Sequence, residues 1–420
     1  MIYYDVVVVG GGPAGLAASK TLMDKNKKVM LVERENRLGG ILKQCIHDGF
    51  GLIQFKKLLT GPEYAEKYID LVTEGNIDIK LLSFVTKVKK LDNGFEITIV
   101  NKEGINTYNT KAIILANGCR ERTSRQINIQ GTRPAGIFTA GTAQYFVNLL
   151  GLLPTKRCVI LGSGDIGLIM ARRLTLEGAY VEGVYEAKST PSGLTRNIIQ
   201  CLEDYNIPLH LSSTVTRVFG EERVTGVEVS NVDDKMQPIK GTQRIVPCDA
   251  LILSVGLIPE NEIAESLGIE MDSNTKGPVV NNSLMTSVKG VYSCGNALHV
   301  NDLVDYVSES GIIAALGAIN YLEDEEKSRK QEYIKVNYEK KDFLYVVPQL
   351  FDKLKPENNI FYLRSRNSVK NVSLKVLVEG KEVFSKAYGE LKPPEMKRLQ
   401  VNFKDIDIKS IEIKMESAEI

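Results

Sequence analysis

The chain has six cysteines, Cys45, Cys119, Cys158, Cys201, Cys248 and Cys294, and no two of them form a CxxC pair or stand at metal-ligand spacing. That excludes a structural zinc or an iron–sulfur cluster held by this chain alone. It also fits a reducing compartment. Net charge is only +1, so there is no electrostatic basis for binding nucleic acid or an acidic membrane surface. No apolar run reaches the ~18 residues of a membrane span. Residues 139–154 come nearest, but Gln144 and Asn148 interrupt them and a helix is expected there. Met1 to Asp5 lack a basic region and enter a core strand at once, so no signal peptide and a cytoplasmic location are expected. The 420 residues are 43% hydrophobic and 25% charged. This is ordinary for a globular chain and long enough for about three domains.

The informative stretch is residues 4–40. Tyr4-Asp5-Val6-Val7-Val8-Val9 is a β-branched run of the kind that forms a buried parallel strand. It runs into Gly10-Gly11-Gly12-Pro13-Ala14-Gly15, then an apolar-periodic helix (Leu16, Ala17, Leu22, Met23), then the strand Lys28-Val29-Met30-Leu31-Val32, which ends in Glu33. This is the strand–GxGxxG–helix–strand–acid unit of a dinucleotide-binding fold. Gly10 permits the tight turn, Gly12 lets the backbone approach a pyrophosphate, and Gly15 lets helix and strand pack closely. The free N–H groups of the helix end receive the phosphate charge. Glu33 stands where a carboxylate takes a ribose 2′-OH.

The paired Gly39-Gly40 suggests a second close approach to the nucleotide. Residues 41–76 read as an insertion with a helix starting near Gly61-Pro62-Glu63-Tyr64, followed by strands at 78–90 and 94–100 joined at Asn93-Gly94. Lys111 to Gly118 is another buried strand with a small-residue end. From Arg157 the opening pattern repeats: strand Cys158-Val159-Ile160-Leu161, turn Gly162-Ser163-Gly164-Asp165-Ile166-Gly167, helix, strand Tyr180 to Tyr185, then Glu186 at the acid position. Two such units imply two nucleotide sites. Glu186 favours NAD over NADP, because a carboxylate repels a 2′-phosphate; Lys188 moderates that preference. Residues 245–258 read as another strand, through Ala250 to Gly256, followed by Val288 to Asn296 and a helix over roughly 306–322. Glu323 to Lys330 is a charged stretch, read as a solvated helix end or linker. Short alternating strands at 342–347, 360–364, 372–378, 382–387, 398–402 and 410–415 then suggest a small all-β module without Cys or His, suited to docking or oligomerisation.

Gly10-x-Gly12-x-x-Gly15 with Glu33, Gly39-Gly40, Leu115-Ala116-x-Gly118, the 162–167 turn and Cys294-Gly295-Asn296 together resemble the flavoproteins with two dinucleotide-binding domains, which include the pyridine nucleotide–disulfide reductases. The resemblance covers about residues 1–325. It implies an α/β fold of two Rossmann-like domains, the second inserted in the first, plus the C-terminal β module. The implied boundaries are 1–150 with 246–328 for an FAD-binding domain, 151–245 for an NAD(P)-binding domain and 334–420 for the module. It places FAD on Gly10, Gly12, Pro13, Ala14, Gly15, Glu33, Arg34, Gly39, Gly40, Ala116, Gly118, Gly295, Asn296, Asp305, Tyr306 and Val307. It places NAD on Gly162, Gly164, Asp165, Ile166, Gly167 and Glu186. The family's late motif usually ends Gly-Asp; Asn296 can still hydrogen-bond a hydroxyl but carries no charge. Asp305-Tyr306-Val307 stand where the family aims a helix start at the flavin.

The reductases' redox dithiol is missing: Gly40-Ile41-Leu42-Lys43-Gln44-Cys45-Ile46-His47 holds one Cys. Gly39 to Gly51, Arg133 to Gln144 and Asn301 to Val307 are similar to a narrower branch. Its members supply the pyridine-nucleotide-type subunit of multi-subunit dehydrogenases, among them hydrogen cyanide synthase, opine oxidases and dye-linked proline dehydrogenase. The branch implies an oligomer with a glycerol-3-phosphate-dehydrogenase-like partner flavoprotein and a small Cys-rich protein. Cys45 and His47 are the candidate catalytic pair, with proton or electron traffic at the flavin and plain packing both open. His299 reads either as a flavin-side proton donor or as a structural group, His210 as strand filler, Cys294 as packing, and Arg120, Arg122 and Arg125 as a solvated or phosphate-facing cluster. No metal site is expected. Three functions stand: a hydride-transferring electron-transfer subunit, a stand-alone NADH oxidase or small-acceptor reductase, and a non-catalytic flavin-holding scaffold.

Overall fold

The opening apolar run, β1 (Tyr3–Val9), lies at the centre of a seven-stranded sheet. In the computed structural model, which describes residues 2–323, 332–353 and 359–417, the chain forms two compact units: 1–119 with 259–420, and 120–258. In the first, β1 leads through α1 (Pro13–Met23) to β2 (Val29–Val32), and later to α2 (Gly61–Thr73), β3 (Asp78–Lys80), β4 (Phe84–Leu91), β5 (Gly94–Asn101) and β6 (Gly104–Leu115). The sheet order is β3-β2-β1-β6-β5-β4, and Val291–Ser293 also pairs with β6. β3, β2, β1, β6 and Val291–Ser293 run parallel, while β5 and β4 form an antiparallel extension. Val6 and Val8 face one core with Leu16, Leu22 and Ile114, and Val7 and Val9 face another with Met30 and Ile113. Burial on both faces explains the unbroken apolar run.

The expected strand over 78–90 is two strands. Leu82 takes φ 48°, which ends extended pairing. The turn is fixed where Leu82 N–H donates to Glu35 O and Ser83 N–H to Glu33 O. β3 therefore completes the parallel sheet, while β4 pairs antiparallel with β5.

The second unit carries a five-stranded sheet, all parallel, ordered Ile137–Thr139, Ala250–Leu253, Arg157–Leu161, Tyr180–Tyr185, Leu209–His210. Helices α3 (Ala140–Leu150) and α4 (Asp165–Leu176) pack on it through Ala143, Val147, Leu168, Ala171 and Leu174. The strand expected over 245–258 is broken into Arg244–Pro247, Ala250–Leu253 and Leu257–Pro259. Four further strands, Gln130–Gly131, Ser213–Phe219, Gly226–Asn231 and Arg244–Pro247, form a second sheet.

Helix α5 (Val304–Glu323) returns to the first unit and crosses α1. At the crossing a Cβ on Gly311 would lie 2.1 Å from Ala14 O, so only glycine allows the approach. Of the charged stretch 323–330, all but Glu323 lies outside the described residues. The β module is a sandwich: a five-stranded sheet (350–352, 333–338, 411–417, 369–378, 381–391) shares a core with a three-stranded one (343–347, 359–365, 396–401) through Val336, Phe343, Phe351, Phe361, Leu374 and Ile411. The strands Tyr333–Tyr338 and Leu350–Asp352 are additional to those expected. Among the described residues no helix is long and apolar enough to cross a membrane, and no cluster of His, Cys, Asp and Glu could hold a metal.

Candidate cofactor sites

Gly10 leaves β1 at φ 107°, and a Cβ there would lie 2.4 Å from Ala116 O. The turn delivers Gly12 as the N-cap of α1, with no side-chain cap and no acid in the first turn. Its leading N–H groups are therefore left to bind an anion. Around Gly12 the nearest atom to a built Cβ is the Gly40 Cα at 3.9 Å. The Gly39–Gly40 turn is held there, Gly39 N–H donating to Gly11 O at 2.8 Å. Glu33 is 6% exposed, and its carboxylate accepts from Gly11 N–H at 2.7 Å and Glu35 N–H at 2.8 Å. Those bonds aim an anionic acceptor at the turn and leave lone pairs for a sugar hydroxyl. Arg34 pairs with Glu260 at 2.9 Å.

The late residues meet this turn. A Cβ on Gly295 would lie 2.9 Å from the Ala14 Cβ and 3.2 Å from the Val307 Cγ1. Gly295 N–H donates to Ser310 Oγ at 2.8 Å. Asn296 Oδ1 accepts from Asn301 N–H at 3.0 Å, and its Nδ2 faces the Cys119 Sγ at 3.6 Å. The Asn117 Oδ1, two residues beyond β6, is buried with no hydrogen-bond partner. An open cradle, an uncapped helix and an orphaned acceptor on one rim fit a dinucleotide. Asp305, 4% exposed, is already engaged: it accepts from Gly51 N–H at 3.2 Å and Gln54 N–H at 2.8 Å, tying the 41–60 insertion to the start of α5. Its carboxylate therefore works on the chain itself, while Tyr306 and Val307 line the helix start.

Cys45 is 6% exposed, with its Sγ 3.4 Å from Ile41 O. Burial pushes its thiol up to about 12, so at pH 7 only about 10⁻⁵ of it is thiolate. That argues for packing over redox or proton chemistry. Cys45→Ala is expected to leave flavin reduction within about threefold and to cost about 1 kcal/mol of stability. A hundredfold loss in rapid-mixing measurements would return Cys45 to the chemistry. His47 packs against Phe50 with ring centroids 5.0 Å apart and planes tilted by 37°, Nδ1 at 3.1 Å from Asp48 O, and its Nε2 is buried without a partner.

His299 is 1% exposed, with its ring 5.7 Å from Tyr345 and 5.3 Å from Tyr362. Burial lowers its pKa from 6.5 to about 4, so it is neutral at physiological pH and no proton donor. The unfolded chain binds this proton near 6.5 and the folded one near 4. Stability from this group is therefore complete above pH 6.5 and is lost as pH falls towards 4, by about 3 kcal/mol. The melting temperature of a His299→Phe variant is expected to fall less steeply than that of the natural chain between pH 6.5 and 4. Parallel curves would contradict this. Cys294 is fully buried, its thiol pushed up to about 12 by burial.

In the second unit Gly162 has φ 98°, and a Cβ there would lie 2.0 Å from Ser254 O. Gly164 caps α4 without a side-chain bond. Glu186 is 7% exposed. Its Oε2 accepts from Ser163 N–H at 3.1 Å, Ser163 Oγ–H at 2.6 Å and Ser192 Oγ–H at 3.1 Å, and its Oε1 from Lys188 N–H at 3.0 Å. Asp165 accepts from Leu194 N–H at 2.9 Å and Asn197 Nδ2–H at 2.7 Å. The 188–197 loop is thus tied across the second glycine turn. Ser163, Ser192 and Asn197 carry no sequence signal for this role. Their part follows only from the loop folding back. His210 stacks on Tyr185 at 4.6 Å.

Two glycine turns, each ending in an uncapped helix with a buried carboxylate opposite, define a protein with two dinucleotide-binding domains. The family model for pyridine nucleotide-disulphide oxidoreductases matches residues 4–314, and the chain belongs to that family of flavin-dependent NAD(P) oxidoreductases. It is 26% identical over 292 residues to the hydrogen cyanide synthase subunit HcnB of Pseudomonas protegens, covering 64% of this chain and 60% of that subunit. It is 23% identical to a ferredoxin–NADP reductase of Picrophilus torridus, covering 76% of this chain and 93% of that enzyme. The thioredoxin reductase of T. acidophilum shares its fold, with TM-score 0.63 at 24% identity over 77% of this chain and 99% of that one. The family match stops short of the β module.

Proposed function

We propose that this chain exchanges hydride between NAD(H), held at Gly162–Gly167 and Glu186, and FAD, held at Gly10–Gly15, Glu33, Gly39–Gly40 and Asn296, as the electron-transfer subunit of a multi-subunit dehydrogenase. The observation that carries the reading is the repeated pairing of an uncapped helix start with a buried glutamate, Glu33 in one unit and Glu186 in the other. FAD, when bound, supplies the hydride-accepting ring and the store of electrons. The chain does the binding. Helix N–H groups take the pyrophosphates, Glu33 and Glu186 take ribose hydroxyls, and Asn296 offers an uncharged amide to the polyol chain. Glu186 supports NAD over NADP, since a 2′-phosphate would stand against its carboxylate.

None of the six cysteines stands in a CxxC pair. Electrons therefore leave the flavin directly rather than through a dithiol. The likeness to a hydrogen cyanide synthase subunit supports a partner subunit as their destination or source; we take that partner to be a flavoprotein, with a small Cys-rich protein as a further companion. The test is steady-state NADH oxidation by the purified chain with ferricyanide, oxygen or a small disulfide as acceptor. Fast turnover with ferricyanide and slow turnover with the others is expected. Oxygen or a disulfide matching ferricyanide would instead make this a stand-alone oxidase or reductase.

A further inference from the structure

The β module lies beyond the family match, yet it shares the core of the first unit. Tyr345 and Val347, from strand Phe343–Val347, belong to the same buried cluster as Ala14, Tyr64, Val307 and Ala314. Leu350 N–H donates to Val280 O at 3.1 Å, and Asp352 N–H to Asn282 Oδ1 at 2.8 Å. Two arginines of the module then reach the beginning of α5. Arg364 pairs with Asp302, and the rest of its fork is used as well: Nε donates to Tyr345 Oη at 3.2 Å, and Nη1 to the Pro393 and Pro394 carbonyls at 2.9 and 2.6 Å. Asp302 also accepts from Met396 N–H. Arg398 grips Glu309 bidentately at 2.8 and 2.7 Å, and Tyr362 Oη–H donates to the same carboxylate at 2.6 Å.

Of the carboxylates held in this way, Asp302 just precedes α5 and Glu309 lies in the part of it that rests on the first glycine turn. Val307 touches the place of Gly295, Gly311 lies on Ala14, and Ser308 Oγ–H faces Pro13 O at 3.5 Å. Asp302 therefore precedes, and Glu309 lies within, the segment that closes the dinucleotide cradle. Left unpaired in a partly buried setting, each would add negative charge beside a bound anionic cofactor.

We propose that the C-terminal β module is a built-in part of the flavin pocket, in which Arg364 and Arg398 act as positioning residues that hold the start of α5 and neutralise Asp302 and Glu309. The inference rests on the FAD reading of the first unit. The module is then neither a docking appendage nor an oligomerisation tag, and its role is to set how readily the bound flavin accepts electrons. Removing either arginine strips a compensating positive charge, which disfavours the electron-rich reduced cofactor more than the oxidised one.

The test is a dye-referenced reductive titration of the full-length protein with FAD bound, alongside the dissociation constant of oxidised FAD. Arg364→Met and Arg398→Met are each expected to weaken binding of reduced relative to oxidised FAD by about tenfold, a fall of about 30 mV for a two-electron couple. The charge-balanced pairs Asp302→Asn with Arg364→Met, and Glu309→Gln with Arg398→Met, should recover most of that shift. Lys353→Met, which breaks the exposed Lys353–Glu332 pair of the same module, should leave the potential unmoved. If Arg364→Met does not fold, the less buried Arg398→Met decides the matter alone. FAD-bound variants with the natural chain's potential would overturn the proposal and reduce the module to a structural brace. Failure of the natural chain to bind FAD would instead overturn the reading beneath it.

Discussion

Gly12→Ala is expected to fold like the natural chain and to lose FAD. Gly12 sits at φ −78°, ψ −174°, an extended conformation that alanine adopts without strain. A Cβ there meets nothing nearer than 3.9 Å. The methyl removes some unfolded-state freedom and gives a poorer N-cap, effects that nearly offset. The melting temperature of the apoprotein should stay within about 3 °C. The space that the methyl enters is the space a pyrophosphate needs. Overpacking there should cost about 3 kcal/mol, or ~100-fold in FAD affinity. Gly15→Ala is the contrast: its Cβ would lie 1.8 Å from Gly10 O, so the turn itself must break and folding should fail. Fluorescence titration with FAD beside thermal melts separates the two. A Gly12→Ala protein that binds FAD normally would mean that the first turn holds no pyrophosphate.

The second large effect is expected at Glu186. Its carboxylate is buried and already organises Ser163, Ser192 and the Lys188 N–H, so it is a fixed acceptor rather than a mobile surface charge. A ribose 2′-OH bonded to such a group is worth about 1.5–3 kcal/mol. Glu186→Ala should therefore lower the efficiency of flavin reduction by NADH about 10- to 100-fold. NADPH, which the carboxylate repels, should lose far less or gain. The NADH-to-NADPH ratio from anaerobic rapid mixing is the readout, because a general loosening of the 188–197 loop would weaken both nucleotides alike. An unchanged ratio would show that Glu186 serves only the loop.

The parts legible in the sequence are those whose determinants are local. The run Val6–Val9, the glycines at 10, 12 and 15 and Glu33 all lie within thirty-odd residues and obey one steric logic, so strand, turn and helix could be read together. The repeat at 157–186 was legible for the same reason. The interruption at Leu82 was not, because a positive φ at leucine is imposed by bonds to Glu33 and Glu35 rather than by its own propensity. Asp305 looked like a residue facing the flavin. That its carboxylate also bonds N–H groups some 250 positions away, at Gly51 and Gln54, was not legible. For Cys45 the sequence left flavin chemistry and packing both open; its burial, which favours packing, depends on the whole insertion. The grip of the module on α5 pairs Asp302 with Arg364 and Glu309 with Arg398 across long separations. Charged residues on alternating strands carry no sign of which distant carboxylate they will meet.

The most direct measurement is an anaerobic titration of the FAD-containing protein with NADH, and separately with NADPH, following the oxidised flavin absorbance band. Fast, complete bleaching with NADH and slow bleaching with NADPH is the predicted result. A protein that retains FAD and is bleached by neither nucleotide would contradict hydride exchange within this chain.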